Sequence, residues 1–303
     1  MQDLLIRAGS FVAIIVLGFV LRRVGFFQEN AFEVLSKVVI KITLPAAIIK
    51  NFSGTVIDPS LLSLAGLGLA CGIVYILVAA LVHIKKTKEE RAFGVLNLPG
   101  FNIGVFALPF VSSFLGPAGV VAASIFDVGN SFICLGGSYG VASSVKVGKG
   151  FSVKRICKVL FTSVPFLCYI TMLPLSLLKI TLPQPIVECA GIISGGNAFC
   201  AMLMIGVGFK LEANRKQLGY VAKMIALRFG IGALMAAAFY FLLSFELEVR
   251  QALALLAVSP IGAAVPGFTR ELGEDTGLSS AINSISIVLS IILMVTLLSV
   301  MLG

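Results

Sequence analysis

Two stretches of the chain decide its fold: NIGVFALPFVSSFLG at residues 102–116 and SPIGAAVPGFTRELG at residues 259–273. Each has a proline followed, after five residues, by Leu-Gly, and Pro266 stands 157 residues after Pro109 in a chain of 303. Both lie in apolar runs, where a proline removes a backbone donor and clashes with the carbonyl of the preceding turn. The sequence therefore predicts two helices that are broken at corresponding positions of two halves.

The composition indicates a membrane protein. Apolar residues make up 58% of the chain, charged residues make up 12%, and the mean hydropathy is +1.07, whereas soluble domains carry about 25% charged residues. The net charge of +9 is spread over short loops between apolar runs. We therefore expect the lipid bilayer as the surrounding medium and no nucleic acid as a partner.

Ten apolar runs are long enough to span a bilayer, which takes roughly 20 residues. They predict an all-α integral membrane fold with ten transmembrane helices, arranged as a 5+5 inverted repeat in which the broken helices 4 and 9 cross. We expect the repeats at residues 1–145 and 154–303. The helices are expected near residues 5–22, 31–51, 60–83, 92–115, 118–142, 156–179, 184–209, 217–243, 249–271 and 276–302.

The basic residues predict an orientation. If the N-terminus is outside, 17 of the 23 Lys and Arg residues fall in cytoplasmic loops or the adjacent helix ends. Cytoplasmic loops carry such an excess. We therefore expect a multi-pass protein of the plasma membrane with both termini outside.

The broken helices predict a substrate site. Freed backbone groups are costly in hydrocarbon, so the breaks must face protein or a watery cavity, and half-helix ends that cross there can bind a ligand. A proline can also merely kink a membrane helix, but two matching breaks, each with an upstream polar residue, favour a site. The residues expected to form it are Asn102, Gly104, Pro109, Ser259, Pro260, Gly262 and Pro266.

Other polar residues lie inside the apolar runs, where ionisable groups are usually functional. Asp127 with Asn130 predicts either a proton or Na⁺ coupling site or a carboxylate that packs helices together. Asp127 stands eighteen residues after Pro109, and the equivalent position after Pro266 is Ser284, next to Asn283. Arg228 is expected to attract an anionic substrate, to neutralise Asp127, or to reach an interface. Thr43 and Asn197, in the predicted helices 2 and 7, are expected to face the substrate opposite the broken helices.

These motifs resemble the auxin efflux carrier family of PIN-like and malonate-carrier-like membrane transporters. The resemblance rests on 102–109 and 259–266, on GFVLRRVG at 18–25 and on Thr43-Leu-Pro45, and it covers essentially the whole chain without the long central loop of the plant members. It implies a scaffold of helices 1, 2, 6 and 7, a mobile transport domain of helices 3–5 and 8–10, elevator-type alternating access and a homodimer. It also implies a small organic-anion substrate such as a carboxylate.

The sequence thus predicts a secondary transporter, with a channel or passive facilitator as the alternative. Isolated polar residues do not provide the continuous lining that a channel needs. An enzyme is not expected: the GxSxG pattern at Gly136–Gly140 lies inside an apolar helix rather than at a strand-to-helix turn. With one histidine and no CxxC pair, we expect no metal site and no cofactor, apart from possible coupling to H⁺ or Na⁺.

Overall fold

The computed structural model describes residues 2–55, 57–148 and 152–302, and all regular elements in these ranges are helical. This confirms the predicted all-α class for the described residues. The α-helices are α1 Gln2–Arg23, α2 Ala31–Val38, α3 Leu44–Phe52, α4 Ser63–Val82, α5 Lys88–Asn97, α6 Leu108–Phe114, α7 Pro117–Phe132, α8 Ser138–Val147, α9 Val153–Thr162, α10 Val164–Leu177, α11 Gln184–Gly195, α12 Asn197–Gly208, α13 Leu218–Leu242, α14 Leu247–Ala257, α15 Val265–Glu271 and α16 Thr276–Leu302.

Short turns of other helix types join some of these elements. The π-helical turns are Val39–Thr43, Ile103–Ala107 and Ile133–Gly137, and the 3₁₀ turns are Pro59–Leu62 and Arg215–Gln217. In α3 and α6, a proline is the second residue after a π-helical turn. The wider turn accommodates the proline ring, and the proline nitrogen cannot donate the usual backbone hydrogen bond.

Six helices in the described residues are long and apolar enough to cross a membrane, and a seventh if one bent pair counts as a single span. The ten predicted spans exceed this number for two reasons. The helix at 31–52 is continuous, but Glu33, Lys37, Lys41 and Lys50 make it less apolar than the others. The predicted spans 92–115 and 249–271 each separate into two short helices. None of these pieces alone reaches the roughly 20 residues of a spanning helix.

The helix predicted at 156–179 is not straight. Its two parts, α9 and α10, meet at an angle of 79° at Ser163. Pro165 explains the bend, because its ring would clash with the carbonyl of Phe161 in a continuous helix. The bend turns α9, which is apolar on one face and basic on the other, away from the direction of α10.

In two pairs of helices, a glycine on each partner brings the backbones into contact. In α4 and α7, a Cβ added to Gly68 would lie 2.2 Å from the Phe126 carbonyl oxygen, and one added to Gly129 would lie 1.7 Å from that of Ala65. Gly18 of α1 and Gly206 of α12 meet in the same way. Helices in lipid associate through close packing of small residues, so these pairs form two tightly packed centres.

The helices pack in two groups around these centres. In one group α1 packs against α12, and α3 packs against α10 and α11; in the other α4 packs against α7, α5 against α8, and α13 against α14. The α14 helix also packs against α7. Where the groups meet, the rings of Phe11 and Phe110 lie 4.8 Å apart.

Candidate functional site

The first break interrupts the predicted helix 4 between α5 and the π-helical turn. Gly100 follows Pro99 with a φ of +82°, which favours glycine. Asn130 of α7 compensates for the missing helical bonds: its Oδ1 accepts from the Phe101 N–H at 2.9 Å, and its Nδ2 donates to the Phe101 carbonyl at 2.8 Å. One side chain thus takes the place of two backbone partners.

The second break, between α14 and α15, is held in a similar way from α16. The Nδ2 of Asn283 donates to the carbonyls of Ile261 and Gly262 at 3.0 and 3.2 Å. Ser286 Oγ accepts from the Ile261 N–H at 3.2 Å. By these contacts Asn283 corresponds to Asn130, whereas the sequence offset had paired Asp127 with Ser284. Both asparagines stabilise broken backbone, and only Asn130 also contacts Asp127.

The two breaks meet directly. The backbone N–H of Asn102 donates to the carbonyl of Pro260 at 2.9 Å. Asn102 is 5% exposed and Ser259 is fully buried. The structure therefore brings together residues that were expected at the two breaks, although Asn102 and Ser259 are 157 residues apart in the chain.

Three polar atoms at this crossing are buried and have no hydrogen-bond partner: Asn102 Nδ2, Ser259 Oγ and Arg228 Nε. Buried polar groups are normally satisfied, and each exception requires an explanation. The amide can donate two hydrogen bonds and the hydroxyl can donate one and accept others. These atoms leave hydrogen-bonding capacity for a ligand.

Arg228 of α13 binds backbone carbonyls at both breaks. Its Nη1 donates to the Leu98 carbonyl at 3.2 Å, and its Nη2 donates to the Ser259 carbonyl at 3.1 Å. Its guanidinium lies 4.4 Å from the ring centres of both Tyr75 and Phe101. At 1% exposure, it does not reach an interface, so that expectation is wrong. Within the described residues it forms no ion pair, so it does not form the expected pair with Asp127.

Asp127 lies beside the first break in a network of neutral donors. Its Oδ1 accepts from Asn130 Nδ2 at 2.8 Å, and its Oδ2 accepts from the hydroxyl of Tyr169 at 3.1 Å. A Cβ added to Gly104 would lie 3.4 Å from Oδ2, so Gly104 lies beside the carboxylate. Tyr169 of α10 was not expected at the site, since a tyrosine in an apolar run carries no signal of its partner.

Thr43 and Asn197 bind each other. The Thr43 hydroxyl donates to Asn197 Oδ1 at 2.8 Å, and both side chains are buried. The neighbouring Leu44 points at the crossing, because its Cδ2 would lie 2.8 Å from a Cβ added to Gly104. An apolar residue of the first helix group therefore lies where a polar one was expected.

The remaining candidates have structural positions around the crossing. Pro109 is buried, Pro266 is partly buried, and both are the second residue of the helix that follows the break. Gly262 faces Cys134, whose Sγ would lie 3.4 Å from a Cβ added to that glycine and 2.6 Å from one added to Gly100. Cys134 is thus a second residue at the crossing that the sequence did not indicate.

Among the described residues there is no candidate metal cluster, and the serine of the GxSxG pattern is not exposed. Within the described residues, no group of three or more His, Cys, Asp and Glu side chains is arranged to bind a metal ion. Ser138 of the GxSxG pattern is buried and donates to the Ile133 carbonyl at 3.1 Å, so its hydroxyl stabilises the π-helical turn before α8.

The comparisons with known proteins point to transport. Residues 10–148 match the model of a family described as a membrane transport protein, and no curated protein matches the chain. The matched segment reaches from α1 to the end of α8, so it contains the first break and Asp127, while the second break lies outside it. Together with the apolar helices, this match indicates a multi-pass protein embedded in the membrane, of a transporter family. The resemblance is thereby confirmed: residues 10–148 match the model of the membrane transport protein family, which is auxin efflux carrier-like.

Proposed function

We propose that this protein is a secondary transporter of a small organic anion, such as a carboxylate, and that the substrate binds where the two broken helices meet. The observation that carries the proposal is the hydrogen bond from the Asn102 backbone to Pro260, with Asn102 Nδ2 and Ser259 Oγ left without partners beside it. Crossed half-helices near the midplane are how many secondary transporters bind their substrates. The family match over residues 10–148 supports transport.

The charges at the crossing favour an anion. Arg228 binds the carbonyls that follow α5 and α14, which offsets the negative ends of those two helices. The helical segment Ile103–Phe114 begins at the crossing, and its positive end is available to a negative ligand. A carboxylate that accepts hydrogen bonds from Asn102 and Ser259 would lie within this positive field.

Asp127 provides a means of coupling. Its carboxylate lies beside Gly104 and is held by two neutral donors, Asn130 and Tyr169. When it is charged, it repels an anion at the crossing. A proton or Na⁺ that neutralises it would remove this repulsion, so cation and anion would bind cooperatively.

We further propose that the two helix groups move past each other in elevator-type alternating access. The scaffold would contain α1–α3 and α9–α12, and the transport domain would contain α4–α8 and α13–α16. Close glycine contacts pack each centre tightly, whereas side-chain contacts such as Phe11 with Phe110, Leu44 with Gly104 and Tyr169 with Asp127 join the groups. This motion fits a 5+5 inverted repeat of ten spans in the plasma membrane, with both termini outside and with two copies of the chain in a dimer.

A two-stage experiment tests the proposal. A thermal-shift screen of mono- and dicarboxylates on the purified protein identifies a ligand, and proteoliposomes are then loaded with that ligand to measure counterflow of the labelled compound. A carrier gives saturable uptake and counterflow. Unitary currents would instead establish the channel, and an absence of stabilisation by any carboxylate, combined with stabilisation by neutral or cationic solutes, would contradict the anion assignment.

A further inference from the structure

A groove lies on the surface of the protein, apart from the crossing of the two breaks. It has a volume of about 280 Å³ and is formed by α4, the junction of α7 with α8, and α9. Its walls are almost entirely carbon, and it is open along one side, where Ile73 is 44% exposed and Phe132 is 39% exposed. The residues that form its walls include Ile73, Ile76, Phe132, Ile133, Ile156 and Cys157.

The α9 helix at one side of the groove is both apolar and basic. Ile156 and Leu160 are buried and pack with Phe166 in a small separate cluster. Val153, Ile156 and Cys157 face the groove, with the spacing of one helix face.

Two lysines lie next to this face. Lys154 and Lys158 are exposed and four residues apart, so they share the flank of α9 beside Cys157. Neither forms an ion pair within the described part of the chain. Arg155 is already paired: it binds Glu271 at 2.5 Å, and its guanidinium lies 4.3 Å from the ring centre of Tyr139. The two lysines next to the groove are therefore the ones left to bind an anion.

We propose that the groove binds one acyl chain of an anionic phospholipid, whose phosphate contacts Lys154 and Lys158. An amphipathic helix with a basic face lies at the level of the lipid headgroups, and clusters of Lys and Arg beside membrane helices bind anionic lipids. The groove continues from that level along α4 and α7, where acyl chains surround the protein. The two parts of the site thus match the two parts of one lipid, and the proposal is independent of the transported substrate.

The same charges disfavour a second copy of the chain as the occupant. A two-fold contact is self-complementary, so a copy that docks on this groove would bring the lysines of both α9 helices together. Like charges repel at such short distances. A phosphate on these lysines has the opposite effect.

The experiment compares two lipids with the same acyl chains on the purified full chain in detergent. Dioleoyl phosphatidylglycerol and dioleoyl phosphatidylcholine are titrated while the Tm is recorded, and glycerophosphoglycerol serves as the headgroup without chains. Ile73→Trp fills the groove, and its matched control is Val74→Trp on the same helix at 41% exposure. The double variant Lys154→Ala/Lys158→Ala removes the headgroup contact, and Lys85→Ala/Lys86→Ala removes a basic pair elsewhere.

We expect phosphatidylglycerol to raise the Tm more than phosphatidylcholine. The double variant of α9 should lose this difference, Ile73→Trp should lose stabilisation by both lipids, and the two controls should retain both effects. Equal stabilisation by the two lipids, or a response unchanged by Ile73→Trp, would overturn the proposal, and so would full stabilisation by the headgroup alone. Efficient Cys157–Cys157 cross-linking in membranes of a Cys189→Ser variant would establish a second copy in the groove and also overturn it.

Discussion

Two asparagines of the same broken helix have opposite environments. Asn97 is fully hydrogen bonded: it donates to Thr269 at 3.2 Å, and its Oδ1 accepts from the Ser279 hydroxyl at 2.5 Å. Asn102, five residues later, has a buried Nδ2 without a partner. We predict that Asn102→Ala impairs substrate binding and leaves the fold intact, whereas Asn97→Ala impairs the fold and leaves binding intact.

The hydrogen bonds of the two asparagines determine how much each substitution should change the free energy of unfolding. A buried donor without a partner costs about 1–3 kcal/mol, and its removal offsets most of the packing lost with the small side chain. The free energy of unfolding of Asn102→Ala should therefore stay within about 1 kcal/mol of the wild type. Asn97→Ala loses two hydrogen bonds between helices, and since such bonds contribute about 0.6–1.5 kcal/mol each, we expect a loss of about 1–3 kcal/mol.

The effect on affinity is the reverse. A hydrogen bond from the Asn102 amide to a carboxylate contributes about 1.5–3 kcal/mol, so its loss should weaken binding about 10- to 150-fold. The backbone hydrogen bond from Asn102 to Pro260 does not depend on the side chain. The crossing should therefore keep its shape in the variant.

The assay measures both quantities on the same samples. Unfolding in a denaturing-detergent titration gives the stability, and the dependence of the Tm on carboxylate concentration gives the Kd. An Asn102→Ala variant with an unchanged Kd would remove Asn102 from the site. A variant that is as destabilised as Asn97→Ala would instead show that the side chain supports the fold.

Three further predictions test the surrounding structure. Arg228→Met leaves two buried carbonyls without a donor, at about 1–3 kcal/mol each, and Arg228→Lys should lose less because it keeps one donor group; wild-type stability of Arg228→Met in a detergent titration would contradict its role at the breaks. Gly129→Ala places a Cβ 1.7 Å from the Ala65 carbonyl oxygen, so it should destabilise the protein by about 1–3 kcal/mol or more, while Gly66→Ala on α4, where nothing lies within 4 Å, should not; equal Tm values for the two would refute the close packing. Asp127→Asn should keep the fold and make uptake in proteoliposomes independent of a proton or sodium gradient, and uptake that still follows the gradient would exclude Asp127 from coupling.

The sequence was sufficient for the features that depend on local pattern. Apolar runs and scarce charges predicted helices in a membrane, because no other medium suits such a surface. Prolines within those runs, among them Pro109 and Pro266, predicted that the two helices are broken, because a proline in a helix interior removes a backbone donor and clashes with the preceding turn. The bend before Pro165 could have been predicted by the same rule, and the apolar run around it concealed the signal.

Partners distant in the chain could be decided only by the tertiary structure. Asn102 meets Pro260, Arg228 binds the Leu98 and Ser259 carbonyls, and Tyr169 binds Asp127. The sequence showed that these groups are costly to bury, and so that each needs a partner, but many polar groups could have supplied one. Which one does so depends on how the helices pack, and that is set by contacts such as Gly129 on Ala65, whose closeness only the folded chain reveals.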